Sequence, residues 1–107
     1  MDNKALLKGN TQTLILSLLN QKNMYGYEII KKLEISSNGL FNLKEGTLYP
    51  ILHSLEKSKY IESYWEETET KRKRKYYKIT QNGKKELGNR KSQWDLFQKT
   101  MNDLLFN

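Results

Sequence analysis

Hydrophobic and polar residues follow two periods along this chain, first that of a helix and later that of a strand. The first helix is predicted over residues 11–21, where Leu14 to Leu16, Leu18 and Leu19 place apolar side chains almost all round the axis. Such a helix must be covered on more than one side. In so small a protein we expect another chain to supply one of those covers.

A second helix is predicted from the break at residues 23–26 to about Ile35. Its apolar face contains residues at helical spacing: Gly26, Ile29, Ile30 and Leu33. Asn38 and Gly39 favour a turn or a left-handed cap at its end. The linker that follows contains three apolar residues that we expect to insert into the core: Leu40, Phe41 and Leu43.

A third helix is predicted over roughly residues 44–59. Its apolar residues follow the spacing i, i+3, i+4, i+7: Leu48, Ile51, Leu52 and Leu55. Pro50 costs little within a first turn, whose amides have no intrahelical partner, so the helix should start within a few residues before it. Thr47 is a natural N-cap, although Gly46 or Glu45 could equally open the helix.

After Tyr60 the period changes to two. Residues 61–66 and 74–79 each alternate and are rich in β-branched and aromatic side chains, and the polar residues 68–72 join them. This pattern predicts a β-hairpin. Thr80 is then suited to cap a last helix.

The last helix carries a heptad seam about three heptads long. Leu87, Trp94 and Met101 are seven residues apart, and Phe97 and Leu104 form the second set, in which Arg90 is the polar member. One small head domain does not need so long a seam, so we interpret it as a subunit contact. The predicted dimer interface comprises Leu14, Leu18, Leu87, Trp94, Phe97, Met101 and Leu104.

The order of elements is therefore helix, helix, helix, hairpin and long helix. This predicts a mainly α protein with a small β-hairpin, arranged as a winged helix-turn-helix with a C-terminal dimerisation helix. We assign residues 1–80 to the winged helix-turn-helix DNA-binding domain and residues 81–107 to the dimerisation helix.

Composition narrows the function. Among 107 residues, 19 Lys and Arg against 12 Asp and Glu give a net charge of +7, which favours a polyanionic partner such as DNA. The chain has no cysteine, its sole histidine is His53, and no Gly-rich phosphate loop is present. We therefore expect no enzyme activity, metal or cofactor. No signal peptide or membrane-spanning run is visible, which favours the cytoplasm.

The third helix and the hairpin provide the candidate DNA contacts. In a helix-turn-helix the N-terminal part of this helix lies in the major groove near base edges. Thr47 and Tyr49 can offer hydroxyls to phosphates or bases, although Thr47 could only cap and Tyr49 only pack. Five consecutive basic residues, 71–75, lie at the tip of the hairpin, and at least two of them should bind phosphate. Strand alternation would place Arg72 and Arg74 on one side of it and the three lysines on the other. The predicted DNA-binding set is Thr47, Tyr49, Pro50, His53, Lys71, Arg72, Lys73 and Arg74.

Trp94, in the middle of the last helix, has two interpretations. It packs between helices, as its helical spacing would usually mean. Alternatively, the two copies of Trp94 in a two-fold dimer approach each other and hold a small planar aromatic compound, with Phe97 beside them.

Three segments resemble the PadR family of bacterial transcription regulators over roughly residues 11–87. They are Tyr25-Gly-Tyr-Glu-Ile-Ile, Glu45-Gly-Thr-Leu-Tyr-Pro-Ile-Leu-His-Ser-Leu-Glu-Lys and Arg74-Lys-Tyr-Tyr-Lys-Ile-Thr. The short last helix is similar to that of the LmrR-like short subgroup. The resemblance implies a dimeric repressor of inverted-repeat operators. Its DNA contacts would be Thr47, Tyr49 and the basic wing, which is the predicted hairpin with its run of residues 71–75. It also implies that Trp94 corresponds to a tryptophan in the last helix of the drug-sensing members, which stacks on flat drugs at the dimer interface.

The leading expectation is a homodimeric, sequence-specific repressor of double-stranded DNA, released by a small aromatic ligand or another signal in a multidrug or phenolic stress response. The alternative is a winged-helix module that binds a protein partner without operator specificity, because a fold alone does not decide function.

The wing departs from the family's common pattern, since residues 70–73 contain no glycine.

Overall fold

The computed structural model describes residues 9–107, which form four helices and a three-stranded antiparallel sheet. The helices are α1 (Thr11–Gln21), α2 (Gly26–Ser36), α3 (Glu45–Lys57) and α4 (Gln81–Phe106), and the strands are β1 (Met24–Tyr25), β2 (Ile61–Glu67) and β3 (Lys73–Ile79). This order confirms the predicted winged helix-turn-helix with a long C-terminal helix. None of the helices within residues 9–107 is long and apolar enough to cross a membrane.

One strand, β1, is absent from the sequence prediction. It pairs with β3 through Met24 opposite Tyr77 and Tyr25 opposite Tyr76, so the sheet order is β1-β3-β2. Two residues are too few to show a period of two, which is why the sequence indicated only a break here. The strand holds the start of α2 against the hairpin.

The core lies between the helices and the inner face of the sheet. Every element except β3 and α4 contributes a fully covered side chain to it: Ile15, Leu16, Leu19, Met24, Ile29, Leu48, Leu52, Leu55 and Ile61. From the linker, Phe41 is buried and Leu43 packs against the cluster. Leu40 is 51% exposed, so the prediction that it inserts into the core is wrong. The Phe41 amide donates to the Ser37 hydroxyl at 2.9 Å, which turns Phe41 inward and leaves its neighbour outside.

Two helices end on residues in the left-handed region. Asn38 and Gly39, with φ of 52° and 84°, close α2 as the sequence predicted. Lys59, with a φ of 64°, closes α3, and the amide of Tyr60 then donates to the carbonyl of Leu55 at 3.0 Å. This is the hydrogen-bond pattern of a Schellman motif, which ends α3 sharply before β2 begins.

The start of α4 is tied to the end of α3. The Thr80 hydroxyl accepts from the Gly83 amide at 2.9 Å, which confirms the predicted cap, and it donates to the Lys59 carbonyl at 2.7 Å. The Thr80 amide donates to the Tyr60 carbonyl at 3.0 Å. A side chain at Gly83 would overlap that carbonyl oxygen, so α4 approaches the turn as closely as a glycine permits.

Only the first part of α4 packs against the rest of the chain. Leu87 is buried in the same core as α1, α2 and α3. Arg90 donates from Nη1 to Oε1 of Gln12 on α1 at 3.0 Å. From Lys91 to the end every residue is exposed, so the second part of α4 projects away from the head.

Candidate nucleic-acid interface

The N-terminal half of α3 presents one face to solvent. Thr47, Tyr49, Pro50 and His53 are all exposed on it. The opposite face is buried and contains Leu48, Leu52 and Leu55. Spacings of three and four residues produce this division, because they return to the same side of a helix.

The start of α3 differs in part from the prediction. The helix begins at Glu45 with Lys44 as its N-cap, so Thr47 is the third helical residue and not the cap. Pro50 is the sixth residue, beyond the first turn in which we expected it. Since proline has no amide hydrogen, the carbonyl of Gly46 loses its usual intrahelical donor. Gly46 is exposed, so water can replace that donor.

Tyr49 joins the two helices of the helix-turn-helix. A methyl group on Gly26, the first residue of α2, would lie 2.5 Å from the Tyr49 hydroxyl oxygen. The phenol ring therefore packs directly on the backbone of α2. Tyr49 is nevertheless 45% exposed, so packing on α2 and contact with DNA are compatible roles for it.

The inner face of the hairpin is anchored to α3. The Ser63 hydroxyl on β2 donates to Oε2 of Glu56 on α3 at 2.9 Å. Burial, with smaller contributions from Glu56 and Tyr49, raises the pKa of Tyr77 on β3 to about 12. The phenol is therefore neutral at physiological pH, and its neighbours Glu56 and Tyr49 both belong to α3.

The wing turns without a glycine. Lys71 adopts a φ of 61°, the left-handed conformation for which glycine is usually chosen, and its amide donates to the Thr68 carbonyl at 2.9 Å. The Thr68 amide donates to the carbonyl of Arg72 at 2.8 Å and closes the loop. The tip of the wing thus carries two basic side chains, of Lys71 and Arg72, on a defined backbone.

The basic residues of β3 divide between two faces of the sheet. Lys73 and Lys75 lie on the face that carries the buried Tyr77, whereas Arg74 lies on the other face. The Arg74 guanidinium stacks over the ring of Tyr25, 4.4 Å from its centroid. β3 begins at Lys73, so strand alternation does not reach Arg72, which we had expected on the same side as Arg74.

Acidic residues partly oppose this charge. Glu66 and Glu67 pair in register with Arg74 and Lys73, and Glu62 forms an ion pair with Lys78 at 3.2 Å. Among residues 9–107, no ion pair within 4.0 Å includes a member of the basic run 71–75. The charges of that run are therefore not neutralised within the described residues, although Arg74 and Lys75 rest on the rings of Tyr25 and Tyr77.

The predicted ligand residues lie on the projecting part of α4. Trp94 and Phe97 are about half exposed, and their ring centroids are 6.1 Å apart. They line a groove of about 1120 Å³ between α1, the linker after α2, and α4. Leu14 and Leu40 lie in the same groove, and Leu40 is a lining residue that the sequence analysis had placed in the core.

The predicted dimer residues fall into two groups. Leu18 and Leu87 are buried within their own chain and have almost no surface to offer a partner. The others retain exposed or half-buried apolar surface: Leu14, Trp94, Phe97, Met101 and Leu104. Leu105 extends the same helical stripe and was missed because it is not a heptad position, whereas the exposed Leu96 and Phe106 lie off it.

Arg90 interrupts the seam for a structural reason. Its Nε pairs with Glu86 at 2.7 Å, its Nη1 reaches Gln12, and its guanidinium lies 5.8 Å from the ring centroid of Tyr60. These partners all belong to its own chain, so Arg90 ties α4 to α1 and to the turn after α3.

Comparisons with known proteins agree with this geometry. The family model of the transcriptional regulator PadR-like family matches residues 15–89. A PadR-like transcriptional regulator from Bacillus cereus is 36% identical, with 96% of this chain and 98% of that chain covered and a TM-score of 0.86. A transcriptional regulator from Clostridium thermocellum is 40% identical, with coverage of 94% and 98% and a TM-score of 0.85.

A protein of Lysinibacillus sphaericus is 38% identical over 89 residues, which are 83% of this chain and 82% of that protein. Members of the matched family are transcriptional regulators and not enzymes, which agrees with the exposed α3 face and the basic wing. This chain belongs to the PadR-like family of transcriptional regulators.

Proposed function

We propose that this DNA-binding regulator is a cytoplasmic homodimeric repressor that binds an inverted-repeat operator and is released by a small planar aromatic molecule. The main support for a dimer is the exposure of the second part of α4. Every residue from Lys91 onward is exposed, and Leu104 on the apolar stripe is 76% exposed. A helix with an apolar stripe that its own chain leaves uncovered needs a partner.

A second copy of this chain is the partner that fits the stripe. A stripe with heptad spacing is self-complementary about a two-fold axis, because each helix supplies the same positions to the other. The groove beside α1, lined by Leu14, Leu40 and Trp94, adjoins the stripe and would receive part of the partner's α4. Residues 1–80 would then serve as the DNA-binding head and residues 81–107 as the dimerisation helix.

The DNA contacts would come from the exposed face of α3 and from the wing. In a two-fold dimer the two copies of α3 would enter successive major grooves, roughly 34 Å apart. The residues we place at the interface are Thr47, Tyr49, Pro50, His53, Lys71, Arg72 and Lys73. Arg74 also belongs to the predicted set, but its guanidinium would have to leave the ring of Tyr25 to reach a phosphate.

The ligand would bind at Trp94 and Phe97, in the LmrR-like manner that the resemblance implies. Their rings are 6.1 Å apart in one chain, and the symmetric copies would face them across the axis. Offset stacking on an indole is favourable for any flat aromatic surface. To release the operator, the ligand must prefer the non-binding arrangement of the heads by about 1–3 kcal/mol. Such a ligand would suit a multidrug or phenolic stress response.

Operator binding is tested by fluorescence anisotropy with the duplex upstream of the protein's own gene and with a scrambled duplex. The measurement is made at two salt concentrations. We expect tight binding to the natural duplex alone and a steep loss of affinity with salt, because phosphate contacts release counterions. Equal binding to both duplexes that disappears at the higher salt would refute operator recognition and would favour the protein-partner module.

Ligand binding is tested separately, through tryptophan emission during titration with planar aromatic dyes. Trp94 and Trp65 are the two tryptophans of the chain, so the Trp94→Ala variant reports the signal of Trp65 alone. We expect quenching in the wild type that the variant lacks. Identical titration curves for the two proteins would exclude stacking on Trp94.

A further inference from the structure

The wing carries an exposed tryptophan to which no role has yet been assigned. Trp65 on β2 is 65% exposed and pairs in register with Lys75 of β3. A tryptophan can bury 150–250 Å² of surface, so leaving most of one in water forgoes a large apolar contribution. The indole therefore needs an explanation outside the fold of the single chain.

Alternation along β2 shows which way the indole faces. Ile61, Ser63 and Trp65 share one face of the strand. Ile61 on that face is buried in the core, and Ser63 donates to Glu56 of α3. Trp65 is the next residue on the same face toward the wing tip, so it lies on the α3 side of the hairpin.

The adjacent tyrosine shows the contrast. Tyr64 lies on the opposite face of β2, where its ring stacks on that of Tyr76 with centroids 5.7 Å apart. Its hydroxyl also accepts from Asn23 at 3.1 Å. On that face the aromatic side chains have partners within the chain. On the α3 side, by contrast, the outermost aromatic side chain, Trp65, is exposed.

Two lysines of β3 lie on the same face of the sheet as the exposed indole. Lys75 pairs directly with Trp65, and Lys73, two pairs further toward the tip and opposite Glu67, projects from the same face of β3. The Lys75 ammonium lies 5.7 Å from the ring centroid of Tyr77 and would have to leave it to reach a phosphate. A flat apolar surface beside ammonium groups matches a nucleic-acid backbone, in which apolar sugar faces alternate with phosphates. A protein partner would more often meet an apolar patch from which charged residues are depleted.

We propose that Trp65 is a DNA-contact residue of the wing. Its indole packs against deoxyribose on the strand beside α3, while Lys73 and Lys75 bind the flanking phosphates. The inference rests on the proposed operator binding and adds an exposed indole of the wing to the interface proposed above.

The absence of charge on the indole provides a specific signature. The slope of log affinity against log salt counts the phosphates that a protein neutralises, and it falls by about one for each lysine contact removed. Trp65→Ala should weaken operator binding by about tenfold at every salt concentration and leave the slope unchanged. Lys73→Gln should reduce the slope.

The experiment is an anisotropy titration of the full-length protein and its variants on the operator duplex at several salt concentrations. Trp65→Phe, which keeps an aromatic ring, should bind within about threefold of the wild type. Leu96→Ala is the matched control, because it truncates a similarly exposed apolar side chain on α4, away from the wing. It should bind as the wild type does, and circular dichroism checks that each variant is folded.

Fluorescence supplies a readout that does not depend on the alanine variant. At saturating operator, wild-type emission should change by more than that of Trp65→Phe, whose remaining tryptophan is Trp94, and the difference reports the response of Trp65. If the wild type itself shows no preference for the operator, the proposed function fails. If the wild type is specific but folded Trp65→Ala binds within twofold of it, or Trp65 emission does not respond, the assignment of Trp65 is overturned and operator recognition stands.

Discussion

Replacing Gly83 with alanine should destabilise the protein, although glycine is the poorer helix former. In a helix interior alanine is favoured over glycine by about 1 kcal/mol. A methyl group at Gly83, however, would overlap the carbonyl oxygen of Tyr60 and lie 2.7 Å from Cγ1 of Ile79. At Gly88, on the same helix, a methyl group would meet nothing within 4 Å. The two glycines therefore form a matched pair.

The size of the expected destabilisation follows from the contacts that a methyl group at Gly83 would displace. The Tyr60 carbonyl accepts from the Thr80 amide at 3.0 Å, so α4 cannot retreat without loosening that bond and the cap that Thr80 makes to Gly83. A lost cap costs about 1 kcal/mol, a lost hydrogen bond about 1 kcal/mol, and overpacking about 1–3 kcal/mol. After the gain in propensity, Gly83→Ala should lower the free energy of unfolding by about 2–4 kcal/mol. Gly88→Ala should raise it by about 0.5–1 kcal/mol.

The assay is urea unfolding followed by far-UV circular dichroism, with wild type and both variants at the same protomer concentration, because the proposed subunit association would add to stability. Thermal unfolding gives a second reading, since each kcal/mol shifts the midpoint by about 4–8 °C in a domain of this size. If Gly83→Ala proves as stable as Gly88→Ala, the close approach of α4 to the turn after α3 does not constrain the fold and the reasoning is refuted.

Two further predictions concern the stripe and the inner hairpin. Sedimentation velocity at micromolar concentration tests the proposed dimer. Leu104→Glu should be monomeric, because a charge would be buried in the contact, while Ser92→Glu on the opposite side of α4 should stay dimeric like the wild type. A dimeric Leu104→Glu would remove this position from the proposed interface. The pKa of Tyr77 is about 12 in the folded chain against an ordinary 10.0. The unfolded state therefore ionises first, and about 2–3 kcal/mol of stability should be lost as the pH rises from about 10 to about 12. Tyr77→Phe should lose less over that window, and parallel stability curves would contradict the burial of the phenol.

Periodicity predicted the elements that bury a whole face. The apolar positions of α3, Leu48, Leu52 and Leu55, repeat often enough to identify both the helix and its inner side. The strand β1 was missed because two residues cannot show a period, and its existence depends on pairing with β3, which is distant in sequence. Local signals likewise could not place the start of α3, since Lys44 caps with its backbone and not with a recognisable side chain.

The candidate site was predictable in residue type more than in arrangement. Alternation separated Arg74 from Lys73, but it did not reveal that Tyr25 lies under the guanidinium. Heptad spacing identified the stripe on α4, yet Leu87 meets its own head because α4 packs on α1 at that end. The exposure of Trp65 was also not predictable, because a strand pattern indicates which face a residue occupies but not where along the strand the core ends.

The continuity of α4 has a mechanical consequence. From the Thr80 cap to Phe106 it is one helix of 26 residues, about 39 Å long. Since its first turn is fastened to the turn after α3, the helix acts as a lever whose short arm holds the DNA-reading head. A rotation of about 5° at the fastened end moves the tip by about 3 Å over such a length. Conversely, a displacement of that size between two tips would be returned to the heads as a change of angle, with no hinge in between to absorb it.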